Sequence, residues 1–282
     1  MRNVDWSERV RRYFDDLGDQ EWTRLTQTPR DRVGMEVHRR FVQRFVRPGD
    51  RVLEVGAGPG RFTLQLAELG AKIVVTDISP VQLRLNEEHL RGTVAEDRVE
   101  RRELLDVCDT TRYDDREFSA VVAYGGALSY AFDVYEEALR GLLRVTRPGG
   151  TVVASVLSLL GLWRAALPAV VARARLVGED ANEEALRTGD LRLAAVDGQC
   201  HVCRLFRWSD VEDLVPAAGG RIIAASASNW ASLGDPASLA EIEADPDRWA
   251  RFLAAEVAAC EEPGTLDGGT RILFAARHRL GH

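Results

Sequence analysis

The sequence predicts an α/β protein with a Rossmann-like, doubly wound sheet of seven strands. Three observations carry this reading. From Asp50 onward, short apolar runs alternate with amphipathic segments, the pattern of strands joined by crossover helices. The first apolar run, RVLEV, empties into a turn with glycines at Gly56, Gly58 and Gly60. The second, KIVVTD, ends in Asp77, at the rim where such sheets receive their ligands.

The elements follow in order. Residues 5–47 read as helices: DWSERVRRYFDDLG, a break near Thr28 and Pro29, then RVGMEVHRRFVQRFV. After the strand RVLEV, PGRFTLQLAELG is a helix closed by Gly70, glycine being the common residue just past a helix end. After KIVVTD, SPVQLRLNEEHL is a helix with Ser79 as N-cap and Pro80 in its first position. RVERREL (98–104) is a weaker strand and SAVVAY (119–124) a stronger one. DVYEEALRGLLRVT is a helix ended by Pro148, Gly149 and Gly150, and TVVASVL is the next strand. Residues 158–205 break the rhythm. One long apolar helix, LSLLGLWRAALPAVVARARLV, precedes Gly-, Asp- and Asn-rich sequence and then CHVCRLFR, which reads as an insertion. The rhythm resumes with the helix DVEDLVPAAG capped by Ser209, the strand RIIAASAS, a helix through ADPDRWARFLAAEVAAC and the strand TRILFAARH. The division implied is a helical lid (1–36), a binding core (37–157), an inserted substrate cap (158–205) and the rest of the core (206–282).

Composition narrows the function. Among 282 residues, 45% are hydrophobic and 29% charged, the profile of a soluble globular chain. A net charge of −7 argues against nucleic acid or an anionic membrane as partner, since phosphate binding draws on surplus Lys and Arg. The longest apolar stretch, VVASVLSLLGLW, is interrupted by Ser155, Ser158 and Gly161, short of the roughly 20 residues a membrane span needs. The N-terminal residues are too polar for a secretion signal. The four cysteines are scattered, so a reducing cytoplasm is the expected setting. Cys200 and Cys203 frame His201 as C-x-x-C without a second ligand pair; free thiols and no metal are expected. The oligomeric state is open, with a homodimer as the assembly to test for.

The turn after the first strand carries the chemistry. Glycines are needed where backbone must approach a ligand or take positive φ. Asp77, 21 residues after Gly56, can accept two hydrogen bonds from a ribose diol. A dinucleotide fingerprint, G-x-G-x-x-G, would require glycine at position 61, but Arg61 is there and the third glycine comes one residue early. Glu54 precedes the first glycine by two.

That E-x-G-x-G-x-G string resembles the class I S-adenosylmethionine-dependent methyltransferases, in the small-molecule, type 11-like branch, and the resemblance runs from about residue 37 to the end. It implies S-adenosyl-L-methionine as cofactor and a last strand, near 270–277, antiparallel to the others. A carboxylate beside the glycines suits a ligand bearing an ammonium and a sulfonium and repels phosphate. The resemblance places Glu54, Gly56, Ala57, Gly58 and Gly60 around the cofactor, Asp77 on its ribose and Ile78 on its adenine. Asp106 and Val107 match the pair at the adenine amino group, although the run LLDVCD leaves Asp109 as an equal candidate. Tyr124 and Gly125 match the segment beside the methionine part, and RPGG (147–150) the turn before the fifth strand.

Methyl transfer from a sulfonium needs alignment, exclusion of water and at most removal of a proton, so the acceptor leaves a fainter signature. GGALSY (125–130), the insertion and the N-terminal helices should all reach the same rim. His201 is the candidate general base or acceptor ligand, with Tyr130 beside it as a second catalytic candidate. Trp22, Tyr130, Trp163 and His201 are candidate acceptor contacts, and Tyr13 a candidate lid over the cofactor. His89, His278 and His282 read as solvated surface, and His38 as structural or as a lid contact. The arginines of VHRRFVQRFVRPGDR raise RNA as a partner, but they alternate with apolar residues at helical spacing and read as a solvated helix face. The expected function is methylation of an aromatic or heteroaromatic, natural-product type acceptor in secondary metabolism, at O, N or an electron-rich carbon. The rivals are an RNA or protein methyltransferase and an NAD-dependent oxidoreductase.

Overall fold

The computed structural model describes residues 6–192 and 201–279. The chain opens with helices α1 (Trp6–Leu17), α2 (Gln20–Arg24) and α3 (Pro29–Val42). Strands and helices then alternate as β1 (Arg51–Val55), α4 (Arg61–Glu68), β2 (Lys72–Asp77), α5 (Pro80–Leu90), β3 (Val99–Leu104), β4 (Phe118–Ala123), α6 (Tyr135–Val145) and β5 (Thr146–Leu157). Three cap helices follow: α7 (Leu159–Ala165), α8 (Leu167–Val177) and α9 (Glu179–Thr188). The chain finishes with α10 (Trp208–Ala217), β6 (Gly220–Ala227), α11 (Pro236–Glu243), α12 (Pro246–Cys260) and β7 (Arg271–His278).

The seven strands form one sheet in the order β3-β2-β1-β4-β5-β7-β6. β1 to β5 pair in parallel, and β7 runs antiparallel to both β5 and β6, as expected for the last strand. Strand order reverses between β1 and β4, which opens a crevice at the carboxyl ends of those strands. Runs of Val, Ile and Ala buried on both faces explain the parallel core. Val52, Ile73 and Val122 pack with Phe41 of α3, Leu66 of α4 and Leu90 of α5 on one face. Leu53, Val121 and Val152 pack with Leu139 and Leu143 of α6 and Val211 of α10 on the other.

Several expected boundaries move, each for a local reason. RPGG is not a turn ahead of β5; the strand begins at Thr146, and the register jumps from Phe118–Thr146 to Ala120–Thr151, so residues 147–150 bulge from the ladder. The expected long apolar helix is two, divided at Ala166, because Pro168 is tolerated only in a helix's first turn. The Gly-, Asp- and Asn-rich stretch contains α9, ended by Gly189 at φ 75°. Ser209 does not cap α10: Arg207 is the N-cap residue, and its N–H donates to the Asp210 carboxylate at 2.7 Å. The division expected at 36/37 falls inside α3, whose Val33 and Val37 join the core.

The cap is seated closely on the sheet. A Cβ on Gly161 of α7 would lie 1.6 Å from the Gly269 carbonyl oxygen. Gly161→Ala should therefore lower stability by about 1–3 kcal/mol, the usual cost of overpacking. The check is the urea midpoint at unchanged m-value; an unmoved midpoint would show that α7 does not rest on the 268–269 loop.

Candidate active site

The glycine turn closes on Asp77. Gly56, Gly58 and Gly60 have φ values of 69°, 55° and 106°. A side chain on Gly56 would be strained by its φ, and its Cβ would meet the Ala127 methyl at 3.2 Å. The buried Asp77 carboxylate accepts from the Gly58 N–H on one oxygen and from the Ser79 N–H on the other, each at 2.8 Å. Burial raises its pKa to about 6 against the pull of those two bonds, so it is mostly ionised at neutral pH. Each oxygen keeps a lone pair for a further donor.

Asp77 stands on the wall of a narrow cavity of about 70 Å³, together with Gly56, Gly58, Ile78, Asp106, Val107, Tyr124, Gly125 and Tyr130. Val10 and Phe14 of α1 cover it. Glu21, Asp77 and Asp106 line this slot, and among its described lining residues there is no Lys or Arg. That donor and acceptor set fits a sugar diol beside cationic groups and opposes a pyrophosphate. Asp106 Oδ1 accepts from Cys108 N–H at 2.9 Å, whereas Asp109 is exposed and folded onto Thr111; Asp106, not Asp109, lines the site.

Glu54 is placed differently. It lies behind the turn, 1% exposed, lining neither cavity; one oxygen accepts from Thr63 of α4 at 2.7 Å and the other is buried without a partner. Burial drives its pKa up to about 8, with the nearby Asp77 charge adding to the rise, so the carboxyl is mostly protonated at neutral pH. The acid that reaches the cavity in its stead is Glu21, held by a forked pair with Arg24 at 2.5 and 2.8 Å. Ala57 and Gly60 also lie off the wall: Ala57 N–H donates to Thr76 O at 3.0 Å, and Gly60 is the N-cap of α4.

A second cavity of about 660 Å³ adjoins the slot, sharing Phe14, Glu21 and Tyr130 with it. Within it, the Tyr130 hydroxyl and His201 Nε2 are 2.8 Å apart. The Tyr13 ring lies against His201 with centroids 4.6 Å apart, and Phe14 meets Tyr130 edge-on at 5.3 Å. Burial holds the His201 imidazole down to about 4, with the Arg24 charge adding to the drop; burial pushes the Tyr130 phenol well up. Trp163 lines this cavity. Tyr13 does as well and is absent from the slot, so the lid contact on the slot falls to its neighbour Phe14.

Trp22 lies outside both cavities. Its ring is stacked on His89 at 4.1 Å and covered by the Arg61 guanidinium at 3.6 Å, so it clamps α2 to the core. This also corrects the surface reading of His89, which bonds Asp19 at 2.5 Å. His278 is partly buried and bonds Leu143 O at 2.7 Å; His282 and Cys200 lie outside the described residues. His38 is buried, with Nδ1 bonded to Gly34 O at 2.7 Å and its ring edge-on to Tyr124. Cys203 is a buried free thiol. Four of the five arginines of the 37–51 run are matched by acids: Arg39 and Arg40 by Glu36, Arg44 by Glu261, Arg51 by Glu100 and Glu117.

Sequence reading missed Val10, Phe14, Glu21 and Arg271 on the cavity walls. Val10 and Phe14 were available as one helix face at i, i+4. Arg271 was available as a charge at the rim end of an otherwise apolar strand. Nothing local marks Glu21.

Residues 52–150 match a family described as a methyltransferase domain. The demethylmenaquinone methyltransferase of Beutenbergia cavernae is 36% identical over 118 residues, which is 40% of this chain and 42% of that protein. The chain thus spans about two fifths of the length of that curated relative. Among solved structures, an S-adenosylmethionine-dependent methyltransferase from Mesorhizobium loti superposes with TM-score 0.53 at 19% identity, covering 83% of this chain and 93% of that one. One from Methanosarcina mazei gives TM-score 0.57 at 15% identity, covering 86% and 98%. The match over residues 52–150 and these two superpositions give the chain the fold of the S-adenosylmethionine-dependent methyltransferases. No helix among the described residues is long and apolar enough to cross a membrane.

Two outcomes follow for the slot. Asp77→Ala takes from the slot both carboxylate oxygens that could receive a ribose diol, so affinity for S-adenosylhomocysteine should fall about tenfold to a hundredfold by calorimetry; unchanged affinity would refute the ribose assignment. For Glu54, the folded pKa of about 8 lies above the ordinary 4.5. Between those values the folded cofactor-free protein keeps a proton that the unfolded chain has lost. Its stability should therefore decline as pH rises through that window, by at most about 1.4 kcal/mol per pH unit from this group. Glu54→Gln should remove that share of the decline in urea titrations between pH 5 and 8; identical pH slopes in the two proteins would contradict it.

Proposed function

We propose that the protein methylates a small aromatic or heteroaromatic molecule held in the 660 Å³ cavity, with Tyr130 and His201 handling the acceptor and its proton. The observation that carries this is the 2.8 Å contact between Tyr130 and His201 at the junction of the two cavities. When bound, S-adenosylmethionine supplies an electrophilic methyl group, which asks little further activation of the protein. Asp77, Ile78, Asp106 and Val107 hold its nucleoside end, and Gly56, Glu21, Tyr124 and Gly125 border the rest of the slot.

The chain's remaining work is to orient the acceptor and accept a proton. With its imidazole neutral at neutral pH, His201 has one ring nitrogen free of a proton. The Tyr130 phenol stays protonated, so its O–H donates to Nε2 and the imidazole proton sits on Nδ1. An acceptor hydroxyl or amine that enters between them can bond Tyr130 and lose its proton to His201. Tyr13, Phe14 and Trp163 supply flat apolar surface for an aromatic ring.

A small acceptor, rather than RNA, is supported by the roof that α7 and α8 place over the cavity and by the pairing of four of the five arginines of the 37–51 run with acids. We place acceptor recognition in the 158–205 cap and assign the chain to natural-product type tailoring in the cytoplasm.

The test is methyl transfer from labelled S-adenosylmethionine to a panel of hydroxylated aromatics. His201→Ala should leave S-adenosylhomocysteine affinity within about twofold and slow transfer by about 10²–10⁴. Tyr130→Phe should also slow transfer, with binding spared. In the wild type, kcat/KM should rise with pH through the His201 value of about 4 and be level by pH 7 as far as this group is concerned. Full turnover in His201→Ala would remove the proposed base.

A further inference from the structure

The large cavity differs in charge from the slot beside it. Arg24, Arg30, Arg173 and Arg271 line it against Glu21 and Asp31, a surplus of positive charge in a chain whose net charge is −7. The two acids are engaged: Glu21 is forked to Arg24, and Asp31 accepts from the backbone and hydroxyl of Thr28. Arg173 has the Asn182 side chain at 3.4 Å.

Arg271 stands apart from these. It is the first residue of β7, paired across from Leu157, at the rim end of β5. Its backbone is tied on both sides to Ser228, whose hydroxyl accepts from Arg271 N–H and whose N–H donates to Arg271 O, both at 3.0 Å. Ser228 is anchored in turn beside Asn229 and the 230–232 turn, whose N–H groups converge on the buried Glu256 carboxylate at 2.7–3.1 Å. Among the described residues the guanidinium has no such partner. Its Nε is buried with no hydrogen bond, and no carboxylate of the described residues lies within ion-pair distance of it. Burial, with the charge of Arg24, pulls its pKa down only to about 10, so it is charged at neutral pH. Glu21 and Asp31 act on it only from a distance, and an enclosed, rigidly mounted guanidinium with no paired carboxylate is costly unless something brings one.

We propose that the methyl acceptor carries an anionic group, a carboxylate in the simplest case, which docks on Arg271 as a forked pair and turns the rest of the molecule toward Tyr130 and His201. This rests on the reading of the large cavity as the acceptor site. Arg271 serves as a specificity-determining residue, since a planar guanidinium matches a carboxylate through two parallel N–H···O bonds. The cofactor's own amino-acid carboxylate offers the same chemistry, and position separates the two sources. Strand β7 is three places from β1 in the sheet, about 14 Å at the usual strand spacing, and Arg271 lines the large cavity but not the slot.

The experiment uses the full chain saturated with S-adenosylhomocysteine, whose own titration is run first. Benzoate, 4-hydroxybenzoate and indole-3-acetate are then titrated beside their methyl esters. At least one acid should bind ten or more times tighter than its ester. Arg271→Met should abolish that preference, Arg271→Lys should keep part of it, and both should bind S-adenosylhomocysteine within twofold of the wild type. Equal binding of acid and ester by the wild type, or no binding of any acid, would overturn the proposal without touching the methyltransferase reading. A tenfold loss of S-adenosylhomocysteine affinity in Arg271→Met would also overturn it, assigning the guanidinium to the cofactor. Failure of the wild type to bind S-adenosylhomocysteine would overturn the proposed function, and this inference with it.

Discussion

The two backbone N–H hydrogen bonds accepted by the Asp77 carboxylate are the constraint on which the rest depends. Through Gly58 they hold the glycine turn against the end of β2, and through Ser79 they fix the first turn of α5. Ser79 passes the restraint outward, its hydroxyl donating to Asp15 of α1 at 2.6 Å. Gln82, one turn along α5, donates to the Phe14 and Gly18 carbonyls. One buried acid thus links strand, turn, helix and lid, and its remaining lone pairs face the slot that they enclose.

From that arrangement comes a division of charge between neighbouring spaces. The slot is bordered by acids and backbone, the cavity beside it by arginines and aromatic rings. Glu21 and Tyr130 stand on both walls, at the boundary where reacting groups would meet. A cationic cofactor and an anionic acceptor would each find complementary surroundings there, and the burial that raises Asp77 leaves little water to screen the field in the slot.

The sheet was legible because its signals are local. An apolar run, a glycine turn and a strand-ending acid each announce themselves within a few residues, and Ser79 with Pro80 marks the start of α5 outright. The pairing of Tyr130 with His201 was legible in a weaker sense, as two residues bound for the same rim. What failed depended on distance in the chain or on burial. Glu54 carries the family's acid but points back toward Thr63, because alternate residues of β1 face opposite layers. Trp22 was read as an acceptor contact and is instead consumed between His89 and Arg61. Glu21 has no sequence signature at all: it reaches the slot because α2 folds back over Gly58, a tertiary event.

Calorimetric titration of S-adenosylhomocysteine, with NAD as the parallel titrant, bears most directly on the central claim that an acid-lined, phosphate-averse slot holds a sulfonium cofactor by its sugar. Saturable binding at one site per chain by S-adenosylhomocysteine, with no heat from NAD, is the expected result. Binding of NAD with silence from S-adenosylhomocysteine would contradict it.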